Sequence, residues 1–244
     1  MSVVALSATD TITNHTDTLQ IPKHISLEKG TGLRNYIIPT VLITYGAFAQ
    51  VVSPLQQFDD YIAKEADSYY KRRKIDDYLR FASIPAVYGL DVMGVKAKNN
   101  FRDRTFLILT SHLIMLGTVQ AVKRVADIER PDGSDHLSFP SGHTACAFTG
   151  AHILFKEYKE VSPWIGVAGY ASATAVGALR IFNRKHWISD IVTGAGVGIL
   201  SAEIGYLLLP VFHRMIGAEE SKSALVVAPV IGNNQYGLGM AYMF

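Results

Sequence analysis

Six apolar segments, roughly 36–55, 81–95, 104–122, 144–158, 163–182 and 191–212, dominate the chain, and any fold it adopts must take all six out of water. A helix needs about 20 apolar residues to cross a bilayer. The first, third, fifth and sixth segments approach that length, whereas 81–95 and 144–158 are short for it. A mean hydropathy of +0.18 leaves both a lipid-embedded bundle and an unusually apolar soluble protein open. The last two segments tip the balance toward lipid, because Gly166, Gly169, Gly177, Gly194, Gly196, Gly198 and Gly205 fall inside them. Small residues let helices approach closely in lipid, and such a density of glycine would weaken an exposed soluble helix. The expected fold is all-α, a bundle of about six core helices that is transmembrane.

The flanks read differently. Residues 1–35 are polar, show no hydrophobic period and are expected to have little order. The opening "MSVVALSATD" looks like the tail of a secretory signal but lacks the basic start and a long apolar run. Residues 56–80 mix charges with Phe58, Tyr61, Ile62, Tyr69, Tyr70, Ile75 and Leu79, which suits an amphipathic helix at an interface or an ordinary surface helix. Near the C-terminus the period changes to alternation, with a turn signal at Gly232-Asn233-Asn234, so 216–244 reads as a short β-hairpin appendage to a helical domain at 36–215. The formal charge of +2 is spread along the chain and gives no basic stripe for nucleic acid. A single cysteine, Cys146, excludes an internal disulfide and a thiolate-rich zinc site, and it lies in an apolar run that favours a buried, inert thiol.

One interruption has a composition shared by neither neighbour: "RPDGSDHLSFPSGHT", residues 130–144, between the third and fourth apolar segments. Pro140 and Ser141 supply a helix start, and backbone N–H groups at such a start favour an anion. Lys123 and Arg130 precede it, so two cations and a helix N-terminus converge on one end of the bundle. A second constellation, "LRIFNRKHWISDI", joins the fifth and sixth segments and holds Arg180, His186 and Asp190. If the sixth helix begins near His186, a spacing of four places Asp190 on the same face, able to hold one imidazole nitrogen and leave the other to act. That arrangement makes histidine a nucleophile or base. Taken singly, these residues are ordinary loop charges, a helix cap and surface histidines; for Asp132, Asp135 and His136 in the loop, contact with substrate and plain turn chemistry are equally good readings. Asp91, His112, His152 and Glu203 are expected to be polar groups in helix packing.

Taken together, Lys123 with Arg130-Pro131, then Pro140-Ser141-Gly142-His143, then Arg180, His186 and Asp190 in their order and spacing closely resemble the three-part signature of the type-2 phosphatidic acid phosphatase superfamily. That superfamily includes membrane lipid phosphatases, soluble bacterial acid phosphatases and vanadium haloperoxidases. The resemblance spans 123–190 and departs at Leu179, where the family usually has serine. It implies a metal-independent phosphatase without a cofactor. His186 would be the nucleophile that forms a phosphohistidine, Asp190 its orienting partner, and His143 the general acid and base. Lys123, Arg130, Ser141, Gly142 and Arg180 would bind phosphate. The substrate implied is a lipid phosphate or pyrophosphate in a bacterial inner membrane, with the site on the periplasmic face. A soluble periplasmic acid phosphatase and a non-catalytic anion-binding membrane protein are the alternatives. Neither the lipid head group nor an oligomeric state is readable.

Overall fold

Backbone polar groups in an apolar medium must be satisfied within their own segment, which makes apolar segments of this length helical. The structure, a computed structural model, describes residues 32–68 and 74–216 and, for the backbone alone, 224–232 and 235–243. Among the described residues there are eight helices: α1 (Arg34–Ala49), α2 (Ser53–Asp67), α3 (Ile75–Leu79), α4 (Ser83–Val92), α5 (Phe101–Ala126), α6 (Gly142–Tyr158), α7 (Pro163–Phe182) and α8 (Ile188–Met215). The six apolar segments correspond to α1 and to α4 through α8. The other two helices lie in the charged stretch between the first two segments. Two strands, β1 (Ala224–Gly232) and β2 (Gln235–Met243), pair antiparallel in their backbone with Gly232 opposite Gln235. The fold class rests on the helices alone. The low order expected of the N-terminal segment, the signal-like opening and the turn at 233–234 lie outside the described residues.

Local chemistry fixes the ends that matter. Asn100 caps α5 by accepting the Asp103 N–H at 2.9 Å, Ser141 caps α6, and Pro163 opens α7 where its missing N–H costs nothing. α6 is the central helix, packed against α5, α7 and α8, while α1 and α5 lie on α8. Its apolar side joins Ile153, Leu154 and Tyr158 to Val87, Ile108 and Ala202. Nearer its start, Ala145 and Cys146 pack with Met115, Val119 and Val197. Cys146 is buried, as its apolar setting implied.

The glycines act by absence of a side chain. A Cβ at Gly194 would stand 2.6 Å from the carbonyl oxygen of Ser141, and one at Gly177 would stand 2.7 Å from Ile191 Cγ2. α6 and α8 therefore meet backbone to backbone near their first turns.

Three helices among the described residues, α5, α7 and α8, are long and apolar enough to cross a membrane. A fourth span is counted only if α1 and α2, bent by 92° at their junction, are taken as one. Six full spans are thus not what the helices provide. At 16 residues α1 reaches only about 24 Å before the chain turns, short of the roughly 30 Å hydrocarbon core. α4, with 10 residues, is shorter still. Exposed Leu109, Leu113, Leu116, Trp164, Val167 and Leu207 line the outer faces of the three long helices, as lipid contact requires.

The stretch 56–80 is not one amphipathic helix either. It is divided between α2 and α3, and it turns acidic residues inward: Asp59 and Asp76 are buried. Asp59 accepts from the backbone N–H of Ser189 at 3.1 Å and from its hydroxyl, tying α2 to the start of α8. The other polar residues in apolar segments pair within the bundle. Glu203 receives His152 Nε2 at 2.7 Å and Lys156 Nζ at 2.8 Å, Asp91 receives Arg104 at 2.5 Å, and His112 Nδ1 donates to its own helix at Ile108 O, 2.8 Å away.

Because Gly194 has no room beside Ser141, Gly194→Val is expected to force α8 away from α6, destabilising the fold by about 1–3 kcal/mol. Thermal unfolding in detergent measures this, and an unchanged midpoint would contradict the close approach.

Candidate active site

Four elements deliver the sequence-derived residues to one end of the bundle. α5 contributes Lys123 in its last turn and α7 contributes Arg180 in its last turn. The loop between α5 and α6 carries Arg130, α6 begins with Gly142 and His143, and the loop before α8 carries His186. A cavity of about 480 Å³ opens among them, lined by Lys123, Arg130, Gly142, His143, Arg180 and His186. Met115, Leu116, Val119 and Phe81 continue the same cavity as an apolar wall.

Each side chain is held from behind. His186 is 2% exposed, and its Nδ1 lies 3.3 Å from Asp190 Oδ2. That oxygen also accepts the Trp187 N–H at 2.9 Å and the Ser138 hydroxyl at 2.5 Å. His186 stands just before the cap of α8, so the contact arises from the cap itself: Asp190 folds back on the start of its helix and meets the ring there. The four-residue spacing was right, and the reason is capping in place of a shared helical face. With Nδ1 facing the carboxylate, Nε2 points toward Arg130, whose guanidinium nitrogen is 3.4 Å away. Burial first, then the charges of Lys123, Arg180 and Arg130, hold His186 well below the usual imidazole pKa, so it is neutral with a lone pair available.

The cations are similarly anchored. Lys123 Nζ donates to the carbonyls of Leu137 and Ser138. Arg130 bonds Asp135 Oδ1 at 2.6 Å, Lys185 O at 3.1 Å and Leu137 O at 3.2 Å. The loop carbonyls thus orient both charges, and Asp135 serves as the counter-ion of Arg130. Arg180 pairs with Asp76 Oδ2 at 2.7 Å.

Two of the expected roles sit differently. Ser141 is completely buried, and its hydroxyl lies 3.0 Å from Thr144 Oγ1 while capping α6, so it stands outside the set of residues that line the cavity. Asp190 is likewise hidden behind His186 and reaches the cavity only through it. The remaining six expected residues line the cavity directly.

Sequence reasoning missed a contribution from α3. Asp76 holds Arg180, Asp77 Oδ1 lies 2.9 Å from His143 Nε2, and Arg80 lines the cavity with its guanidinium 4.6 Å above the Phe81 ring. The signal available was the adjacent acid pair in "IDDYLR", which the surrounding charges disguise as a solvated face. Burial first, then the charge of Arg180, lowers the His143 pKa to about 4. The hydrogen bond from His143, together with the nearby positive charges, lowers that of Asp77. One oxygen each from Asp76 and Asp77 and a nitrogen of His143 lie within 4.8 Å of one another. Arg180 already occupies the Asp76 carboxylate, so the group ties α3 to α6 and α7 through paired charges.

A profile of the PAP2 superfamily matches residues 82–214, more than half of the chain. The protein belongs to that superfamily. It is 38% identical over 144 residues to the lipid A 1-phosphatase of Porphyromonas gingivalis, covering 58% of this chain and 32% of that one. It is 31% identical over 93 residues to the bacitracin transport permease protein BcrC of Bacillus licheniformis, covering 37% of this chain and 44% of that one. The matches therefore span about a third and under half of those relatives' own lengths. Among solved structures, LpxE of Aquifex aeolicus is similar at 19% identity and a TM-score of 0.47, over 60% of this chain and 93% of that one. The first transmembrane PAP2 type phosphatidylglycerolphosphate phosphatase from Bacillus subtilis is similar at 18% identity and a TM-score of 0.45, over 75% and 99%. With its apolar helices, the chain is a membrane protein of this superfamily.

Asp76 is 1% exposed and Arg180 9%. Removing one partner of such a pair costs about 3–5 kcal/mol. Asp76→Ala is expected to lower the unfolding midpoint accordingly, and inorganic phosphate to recover part of the loss by supplying the missing charge. A midpoint that phosphate leaves unmoved would contradict Arg180 as an anion-facing group.

Proposed function

We propose that the protein is a phosphatase that removes phosphate from a membrane lipid through a phosphohistidine. The observation that carries the reading is one continuous cavity, cationic and histidine-bearing at one end and apolar along α5 at the other. A phosphate ester of a lipid has that same division. Lys123, Arg130 and Arg180 take the phosphoryl oxygens, assisted by the N–H groups at the start of α6. The planar fork of arginine suits two of these positions.

The reaction runs in two displacements. His186 Nε2 attacks phosphorus, the bond to the lipid oxygen breaks, and that oxygen leaves with a proton from His143. Asp190 stabilises the positive ring of the phosphohistidine. His143, now deprotonated, takes a proton from water as the water attacks phosphorus, and His186 departs as the neutral imidazole. No step is routed through a metal or cofactor. Relatedness to a lipid A 1-phosphatase supports a lipid phosphomonoester or pyrophosphate as substrate. We place the enzyme in a bacterial inner membrane as a multi-pass protein with the cavity open toward the periplasm, residues 36–215 as the catalytic domain, and the C-terminal hairpin as an appendage.

His186→Ala is expected to abolish turnover of a phospholipid monoester and the acid-labile phosphoenzyme trapped from radiolabelled substrate. His143→Ala keeps some phosphoenzyme, because attack precedes water activation. Full turnover without His186 would overturn the nucleophile assignment. In fractionation, alkaline carbonate is expected to leave the protein in the membrane pellet, since spanning helices are not released by screening surface charge. Recovery in osmotic-shock fluid would favour the soluble alternative.

A further inference from the structure

The three signature motifs supply one carboxylate partner, Asp190 for His186, and leave His143 without one. The structure provides that partner from outside the motifs. Asp77, on α3, places Oδ1 2.9 Å from His143 Nε2. We infer that Asp77 is a positioning residue for proton transfer: it holds Nε2–H of His143, and so commits Nδ1 to carry the proton that the leaving lipid oxygen needs. The inference rests on the phosphatase reading above.

The two histidines are then held through opposite nitrogens. Asp190 takes Nδ1 of His186 and leaves Nε2 to attack, whereas Asp77 takes Nε2 of His143 and leaves Nδ1 for the proton. A carboxylate behind an imidazole fixes its tautomer and its orientation and stabilises the charged ring. His143 needs both services, because its other neighbours oppose a proton. Arg80 NH1 lies 3.2 Å from the same Nε2, and Arg180 on α7 faces the ring. Lys123 from α5, Arg130 from the following loop and His186 from the loop before α8 line the same cavity. Among the described residues, the acids that stand against these are Asp77 and, one residue earlier on α3, Asp76, which is engaged by Arg180. A bound phosphoryl dianion adds to the same side as Asp77, so His143 gains its proton when substrate is in place.

Asp77 is also suited to this work by what it does not do. Its side chain is half exposed while that of His143 is 20% exposed, so the carboxylate reaches in from the surface and is not part of the packed core. α3 is held by Asp76, which bonds Arg180 at 2.7 Å and Asn183 at 3.3 Å. Replacing Asp77 with the isosteric Asn therefore leaves α3 in place and removes only the negative charge behind His143.

The test uses the full chain in detergent and a series of substituted phenyl phosphates whose leaving groups range from 4-nitrophenol to unactivated phenol. The first leaves without a proton, and the last requires one. Asp77→Asn is expected to lower kcat/KM by about 10- to 100-fold for phenyl phosphate, up to the lower bound of general-acid effects because His143 itself remains, and by about threefold or less for 4-nitrophenyl phosphate. The dependence on leaving-group pKa becomes steeper. For phenyl phosphate the alkaline limb of the kcat profile moves to lower pH, since a ring without its carboxylate loses its proton sooner. Asp77→Glu is expected to restore part of the phenyl phosphate rate. Because the ratio between substrates does not depend on how much protein is folded, it separates proton transfer from structural damage. An equal loss across the series, or none, overturns the positioning role and leaves the phosphatase reading standing. A wild-type protein that hydrolyses no member of the series overturns both.

Discussion

The backbone N–H of Ser141 donates to the carbonyl of Asp190 across 3.1 Å, joining the residue that caps α6 to the first turn of α8. Neither helix end could come so close if Gly194, one turn further along α8, carried a side chain. Most of the site depends on this junction. It fixes where the N–H groups of α6 point, and it sets His186 and His143 on facing walls of one cavity. Through the Ser138 hydroxyl it brings the loop between α5 and α6 onto Asp190 as well. That loop in turn presents the carbonyls of Leu137 and Ser138 to Lys123, and Leu137 O also to Arg130. Positions far apart in the chain are thus set by one short set of contacts among buried polar atoms, where an unmade hydrogen bond is costly.

Around this junction the bundle divides its labour along its length. One end gathers the ionisable groups of the cavity. Farther along α8, Glu203 collects His152 and Lys156 in a closed polar cluster that touches no part of the cavity. From Asp190 to Glu203 the helix rises about 20 Å, so the two charged layers are separated by most of a bilayer's apolar thickness. Between them α8 carries mainly Ala, Gly, Val and Ile, and its Thr193 and Ser201 hydroxyls donate back to carbonyls of their own helix. The arrangement anchors the long helices at two depths.

Much of the site was legible because its chemistry is compressed into three short motifs. Lys123, Arg130, Gly142, His143, Arg180 and His186 all reach the cavity as their spacing implied. The helical class was equally readable, since apolar runs of this length have few alternatives. What escaped was contact between distant segments. Asp59, Asp76 and Asp77 sit in a run of alternating charge that on its own resembles a solvated face. Only the fold reveals that α3 lies beside the ends of α6 and α7. The long spans were readable too, since the third, fifth and sixth segments are α5, α7 and α8, whereas the 92° bend after α1 left no mark in the apolar pattern. Ser141 carries a role that the motif alone does not disclose: its buried hydroxyl caps α6.

The pairing of the cradle's own cations has a consequence for the end of the catalytic cycle. Arg180 has Asp76, Arg130 has Asp135, and Lys123 has two carbonyl oxygens. Both arginines of the cradle are already paired with carboxylates, so an arriving oxyanion competes with groups in place and gains less than the full attraction of three positive charges. For the phosphatase proposed above, this weakens the grip on the ground state and would reserve the advantage for a trigonal-bipyramidal arrangement whose equatorial oxygens reach all three cations. Inorganic phosphate, tetrahedral again and without a lipid tail, would compete with the two carboxylates for their arginines. Such pairing would favour release of the product over its retention.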